Sequence, residues 1–147
     1  MTLTQNERAE LIKHRVEKSR SLHNEALFLF NSGLYNTAVN RIYYAMYHAV
    51  SALALKDSFT TSKHLQLIGW FNREYVKTGR TDINSGKYLT RAFEMRSSKI
   101  SSIASRRLFF ASSTVSPWPL APGISGHIAQ YPPSGADSII AASSDFI

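Results

Sequence analysis

The chain contains no cysteine. That excludes disulfides, thiolate nucleophiles, and zinc or iron–sulfur centres held by cysteine. No apolar run approaches the ~20 residues that a membrane-spanning helix requires, and the opening stretch, MTLTQNERAELIK, is too polar for a secretory signal. A soluble cytoplasmic protein with no membrane partner is therefore expected. Acidic residues are scarce: 10 Asp and Glu stand against 17 Lys and Arg, a formal net charge of +7. Such a surplus favours an anionic partner such as RNA or DNA, and is also common on proteins that bind neither. Proline is missing from most of the chain, since all 5 prolines lie between Pro117 and Pro133. Nothing before them breaks a helix from within.

With 147 residues the chain is long enough for one domain with a substantial core. Its composition divides it into a helical part, 1–96, a segment 97–116 with the pattern of a short or frayed helix, and a Pro/Ser/Gly-rich irregular tail, 117–147. From Ser97 onward there are 13 serines and only 2 acidic residues, and PWPLAPGISGHIAQYPPSG admits neither a regular helix nor a central strand. The tail is expected to be extended or disordered, with Trp118 as an apolar tether onto the helices and His127 without catalytic consequence.

Apolar periodicity in the first part predicts helices. Thr4, Gln5, Asn6 and Glu7 form a capping box, so a long first helix starts there. Ile12, Val16, Ser19, His23, Ala26 and Phe30 make its inward face, and Gly33 is its stop. A connection as short as Gly33 to Tyr35 makes the next helix, roughly Asn36 to Lys56, an antiparallel neighbour. Thr61 or Ser62 caps a third helix, about Lys63 to Lys77, which buries Leu67 or Ile68, Phe71 and Tyr75. A turn-rich link from Arg80 to Gly86 precedes a fourth, about Lys87 to Arg96, with Leu89, Ala92 and Phe93 inward. His14 and His23 have no acidic or cysteine partner at ligand spacing and read as surface or helix-edge residues, and His64 reads as structural or surface. Arg91 and Arg96 read as solvated or paired, with phosphate contact as the alternative.

The second helix organises the rest. At about 3.6 residues per turn, Arg41, Tyr44, His48 and Ser51 form one polar stripe. Ile42, Ala45, Ala49 and Ala52 form a second stripe, and Val39, Tyr43, Met46, Val50 and Leu53 a third. A helix apolar on most of its circumference is normally buried. Tyr43 and Tyr47 read as core residues, whereas Tyr44 shares the face of Arg41 and His48.

Three blocks, NRIYYAMYHAV, SKHLQLIGWFNREYVKTG and YLTRAFEMR, occur in an order and spacing that resembles the small prokaryotic HEPN domains, within the branch that has a YYAMFHA-type central helix. The resemblance runs from about residue 8 to 96. It implies an all-α, antiparallel up-and-down bundle of four to five helices that forms a homodimer. In many members an Arg followed four to six residues later by His is the active site of a metal-independent endoribonuclease. Such a protein is often the toxin of a toxin–antitoxin pair, beside a small nucleotidyltransferase as antitoxin. Carried onto this chain, the catalytic residues are Arg41 and His48, with Asn40, Tyr44 and Ser51 supporting them or binding substrate. RNA is the implied substrate, with no metal and no cofactor. Two positions depart from the family. Val50 stands where the nucleotidylated tyrosine of some members lies. After FEMR the chain turns to Ser97, Ser98 and Lys99 instead of an acidic stretch and a final amphipathic helix, which points to a frameshifted or foreign C-terminus; loss of a fifth helix would expose core and weaken the fold.

Metal-free RNA cleavage needs a base for the ribose 2′-hydroxyl, an acid for the leaving 5′-oxygen, and positive charge for the phosphorane. Histidine titrates near neutrality, and arginine stays charged and binds phosphate oxygens in a fork. One protomer carries one such histidine, so two-histidine chemistry requires a symmetric dimer along the central helix, where small Ala45 would let the backbones approach. Two other readings stay open at this point. Arg41 and His48 can be a buried polar pair that satisfies an acidic neighbour and fixes register, or the chain can be a non-catalytic module that binds nucleotide, RNA or a nucleotidyltransferase.

Overall fold

In the computed structural model, which describes residues 4–97 and 102–115, the capping box at Thr4 is formed. The Thr4 hydroxyl accepts from the Glu7 amide at 3.3 Å, and the Glu7 carboxylate accepts from the Thr4 amide at 2.8 Å. Two amides that a helix start leaves free are thereby satisfied, and helix α1 follows as Gln5–Asn31. It stops at Gly33, φ +76°, where the Leu34 amide donates to the Leu29 carbonyl at 2.9 Å. Helix α2, Tyr35–Lys56, stops in the same way with Ser58 in the glycine position, φ +60°, and the Phe59 amide on the Ala54 carbonyl at 2.8 Å. Left-handed backbone costs a non-glycine residue about 1–2 kcal/mol. Two tertiary contacts hold it there: the Arg8 guanidinium donates to the Ser58 hydroxyl, and the Phe59 ring lies flat against Trp70, 5.1 Å away.

Helix α3, His64–Phe71, runs directly into a π-helical turn, Asn72–Val76. Together they match the extent predicted for the third helix, and the widened turn is what the periodicity did not show. Thr61 accepts from the Lys63 amide at 3.1 Å just ahead of the helix. Helix α4 is Ile83–Ser97 and so begins earlier than the expected Lys87. Asp82 starts it: its carboxylate accepts from the Asn84 amide at 2.9 Å and its carbonyl from the Ser85 amide at 3.0 Å. Gly86, which reads as a turn residue, is instead buried where α4 crosses the π turn. A Cβ at that position would stand 2.3 Å from Asn72 Oδ1.

A fifth helix is present. Helix α5, Ile103–Val115, is capped by the Ser102 hydroxyl on the Ser105 amide at 3.2 Å, and it packs against α2. Phe109 and Arg106 are buried, and the Phe109 ring meets Tyr88 edge-on at 6.4 Å. The segment 97–116, which has the pattern of a short or frayed helix, thus supplies the fifth helix of the bundle: enough apolar character survives among its serines to bury one aromatic. The tail 117–147, with Trp118 and His127, lies outside the described residues.

The described residues hold no strand, and the fold is an all-α helical bundle. No described helix is long and apolar enough to cross a membrane. Helix α2 is the centre and touches α1, α3, α4 and α5. Both of its apolar stripes are buried: Val39, Tyr43, Met46 and Val50 are at most 1% exposed, and Ile42, Ala45, Ala49 and Ala52 at most 3%. Helix α1 runs antiparallel beside it, as the paired residues show. Glu25 meets Arg41, Ser19 meets Ala45, Arg15 meets His48 and Arg8 meets Ser58. Ala45 was expected at a dimer seam, but it is buried within the chain's own helix packing, and its carbonyl accepts from the Ser19 hydroxyl at 2.8 Å. Ala45→Leu should therefore overpack the α1–α2 seam and lower stability by about 1–3 kcal/mol, measured as a lower urea midpoint.

Candidate functional site

One strip of α2 is left partly open. Asn40, Arg41, Tyr44, His48 and Ser51 are all half-buried on a helix whose other faces are covered. Arg41, Tyr44, His48 and Ser51 are the polar stripe that the spacing predicts, with Asn40 beside it, and the strip lies between residues of α1 on one side and of α4 on the other.

His48 is held from α1. Its Nδ1 lies 3.0 Å from the Arg15 guanidinium. A guanidinium only donates, so Nδ1 accepts and the ring proton of the neutral histidine sits on Nε2. That nitrogen has no partner among the described residues and is not buried. Burial first, and then the charges of Arg15, Lys18 and His14, hold the His48 pKa at about 4. None of these influences is offset by an acid, since no carboxylate lies within ion-pair distance of His48 or Arg15 among the described residues.

Arg41 is different. Its Nε lies 2.9 Å from the Glu25 carboxylate. The N–H is not aimed at the oxygen, so Nε makes no hydrogen bond, and the contact is an ion pair in which roughly two fifths of each side chain is exposed. Such a pair contributes little to stability and yields readily to a competing anion. No hydrogen bond or ion pair joins Arg41 to His48; what they share is the strip. Asn40 Oδ1 and Arg15 Nε are buried without a hydrogen-bond partner among the described residues. The Ser51 hydroxyl donates to the Tyr47 carbonyl one turn back, at 2.7 Å. Tyr44 packs edge-on to Tyr43 and Tyr47, with the Arg96 guanidinium 4.9 Å from its ring centre. Among the described residues no three histidine or acidic side chains come together as a metal site needs.

The residues that sequence reasoning missed come from other helices. Arg15 and Lys18 lie one turn apart on α1, near the level of His48. The signal available was the antiparallel α1–α2 pairing, but its register is not readable from either helix alone.

The chain belongs to the HEPN domain family, whose profile matches residues 12–103. It is 40% identical over 91 residues to a UPF0332 protein of Thermotoga maritima, covering 62% of this chain and 69% of that one. It is 33% identical over 81 residues to "Putative toxin MJ0142" of Methanocaldococcus jannaschii, covering 55% of each chain. A UPF0332 protein of Archaeoglobus fulgidus is 38% identical over 85 residues, covering 56% of this chain and 65% of the relative. The matched stretch thus spans between about half and about two thirds of these relatives' own lengths.

The state of His48 is directly testable. Its folded pKa lies below the ordinary value of 6.5, so the unfolded chain binds the proton more readily. The stability contributed by neutral His48 is full above about pH 6.5 and is lost as pH falls through about 4. His23 and His64 are also lowered, chiefly by burial, and act in the same direction. The thermal midpoint should fall between pH 6.5 and 4, and His48→Gln should reduce that fall. By NMR titration, Arg15→Gln should raise the His48 pKa towards its ordinary range, because it removes the largest of the charges acting on the ring.

Proposed function

We propose that this chain is a metal-independent endoribonuclease that acts as a homodimer, with the α2 strip as its active surface. The observation that carries the reading is His48 itself. It sits on the open strip, hydrogen-bonded by Arg15 and surrounded by cations that no carboxylate neutralises. A buried pair serving a structural role has its charge balanced. This one is balanced only when an anion arrives.

A phosphodiester supplies that anion. Its charge offsets Arg15 and Lys18 and returns the His48 pKa towards neutrality, where one group can take and give a proton. The 2′-oxygen attacks phosphorus as its proton passes to a histidine. The P–O2′ bond forms, the P–O5′ bond breaks, and the 5′-oxygen leaves with a proton from a second histidine. The products are a 2′,3′-cyclic phosphate and a free 5′-hydroxyl. The second histidine is His48 of the other protomer, brought close when two strips face each other across a twofold axis. Arg41, released from its exposed pair with Glu25, holds the phosphorane oxygens. Asn40 and Tyr44 line the same strip, and Ser51 keeps its hydroxyl on the backbone. Relatives named as toxins support a toxin-like role, for which an antitoxin such as a nucleotidyltransferase is the proposed partner.

One observation favours a second reading, a module that binds RNA, nucleotide or a nucleotidyltransferase without cleaving. With its pKa held at about 4, His48 is a weak base in the isolated chain. The two readings separate when wild type and His48→Ala are incubated with mixed RNA in EDTA. Wild type should leave 2′,3′-cyclic phosphate ends, and His48→Ala should be slower by about 10²–10⁴-fold while still binding RNA. Absence of cleavage by a folded wild-type dimer would leave the binding module.

A further inference from the structure

A second cluster borders the strip on its α4 side, and the reaction above makes no use of it. The Tyr43 hydroxyl is hydrogen-bonded to His64 Nδ1 at the start of α3. The His64 ring stacks on Tyr47, 4.4 Å between centres and 18° between planes, and Tyr47 stands edge-on to His48 at 5.7 Å. One tyrosine ring therefore separates the two imidazoles. At the end of α4, Arg96 lies over two rings, 5.0 Å from the centre of Tyr43 and 4.9 Å from that of Tyr44.

The charge of this cluster is not balanced. Within α3, α4 and the segment between them, Arg73 pairs with Glu74, Arg80 with Asp57 and Arg91 with Glu94. Arg96 meets no carboxylate among the described residues: its neighbours are the Tyr43 hydroxyl and the faces of Tyr43 and Tyr44, and it is exposed. Tyr43 is pushed up to about 12, chiefly by burial, so it stays a neutral phenol and supplies no counter-charge. His64 Nε2 has no partner among the described residues and is not buried. An open cation, an open imidazole nitrogen and partly exposed tyrosine rings thus lie together, one ring away from His48. Phosphate groups take the first two, and unstacked bases take aromatic faces.

We propose that Arg96, His64 and Tyr44 form a subsite for the nucleotide adjoining the one cleaved at His48, with Arg96 and His64 Nε2 on its phosphate and Tyr44 against its base. The proposal rests on the ribonuclease reading for its substrate, and it adds a selectivity: the strand must be single, because bases stacked in a duplex offer Tyr44 no free face.

The test uses the full chain and a fluorescent, uncleavable 2′-O-methyl RNA strand, with binding followed by anisotropy at several salt concentrations. Arg96→Gln should weaken binding about tenfold and lower the slope of log affinity against log salt by about 0.7, the loss of one phosphate contact on a single strand. His64→Gln should weaken binding with little change in slope, since that histidine is neutral. Arg96→Lys should restore the slope, and Arg91→Gln, on the same helix but paired, should behave as wild type. Circular dichroism checks that each variant is folded. Equal binding by wild type, Arg96→Gln and His64→Gln overturns the subsite, and so does weaker binding by Arg96→Gln with an unchanged slope. Cleavage of unmodified RNA by wild type, measured in parallel, separates the two claims. Cleavage with Arg96-independent binding removes the subsite and keeps the nuclease, whereas Arg96-dependent binding without cleavage does the reverse. A wild type that neither binds nor cleaves removes both.

Discussion

The close antiparallel seam between α1 and α2 sets everything else. Ala26 and Ala38 are fully buried and Ala45 nearly so, and side chains this small let two helix backbones approach until one polar contact, Ser19 to the Ala45 carbonyl, fits between them. That contact fixes the register. With Ser19 at the level of Ala45, Arg15 falls at His48 and Glu25 at Arg41. A slip of one helical turn, about 5.4 Å, would carry both partners away and leave the strip with a different charge.

The register gives Arg41 and His48 opposite surroundings. Arg41 meets an acid in an exposed pair, which keeps it soluble and displaceable. His48 meets a cation in a half-buried place, which keeps it neutral. In the proposed reaction this is a resting state in which neither residue is ready for chemistry alone. The same arriving phosphate would change both, competing with Glu25 for Arg41 and relieving the repulsion on His48. On that proposal binding and activation would be one electrostatic event, and the buried Arg15 Nε and Asn40 Oδ1, which lack partners among the described residues, mark where polar groups from outside the chain have most to gain.

Much of this was legible in the sequence. The three stripes of α2 follow from periodicity alone because burial on a helix is a matter of angle, and each residue assigned to the two apolar stripes is buried. The capping box at Thr4 and the stop at Gly33 were readable because their signals are local. What failed was non-local. Leu22, Trp70 and Met95 join the core through packing that no single helix reveals. Asn84, Ser85 and Gly86 have the composition of a turn, yet Asp82 starts α4 ahead of them and Gly86 is there for clearance against Asn72. Arg15 looks like an ordinary surface arginine until the seam places it on His48. The serine-rich segment after Arg96 suppresses helix propensity without abolishing it, because one serine serves as the cap and Phe109 supplies an anchor.

His64 shows the same limit most clearly. In sequence it is a lone histidine beside a lysine at a helix start, and nothing local distinguishes it from a solvated residue. Its environment is built by two other helices: Tyr43 and Tyr47 from α2, and Phe93 and Arg96 from α4. Burial and the Arg96 charge lower its pKa, as burial and Arg15 lower that of His48. Two histidines on either side of one tyrosine ring, each kept neutral and each next to an arginine with no carboxylate, are hard to account for as packing. A core gains nothing from unbalanced charge, and a solvated surface does not stack its histidine on tyrosine. The arrangement makes physical sense as a single cationic strip, in which the chain supplies the positive side and an anionic ligand would supply the other.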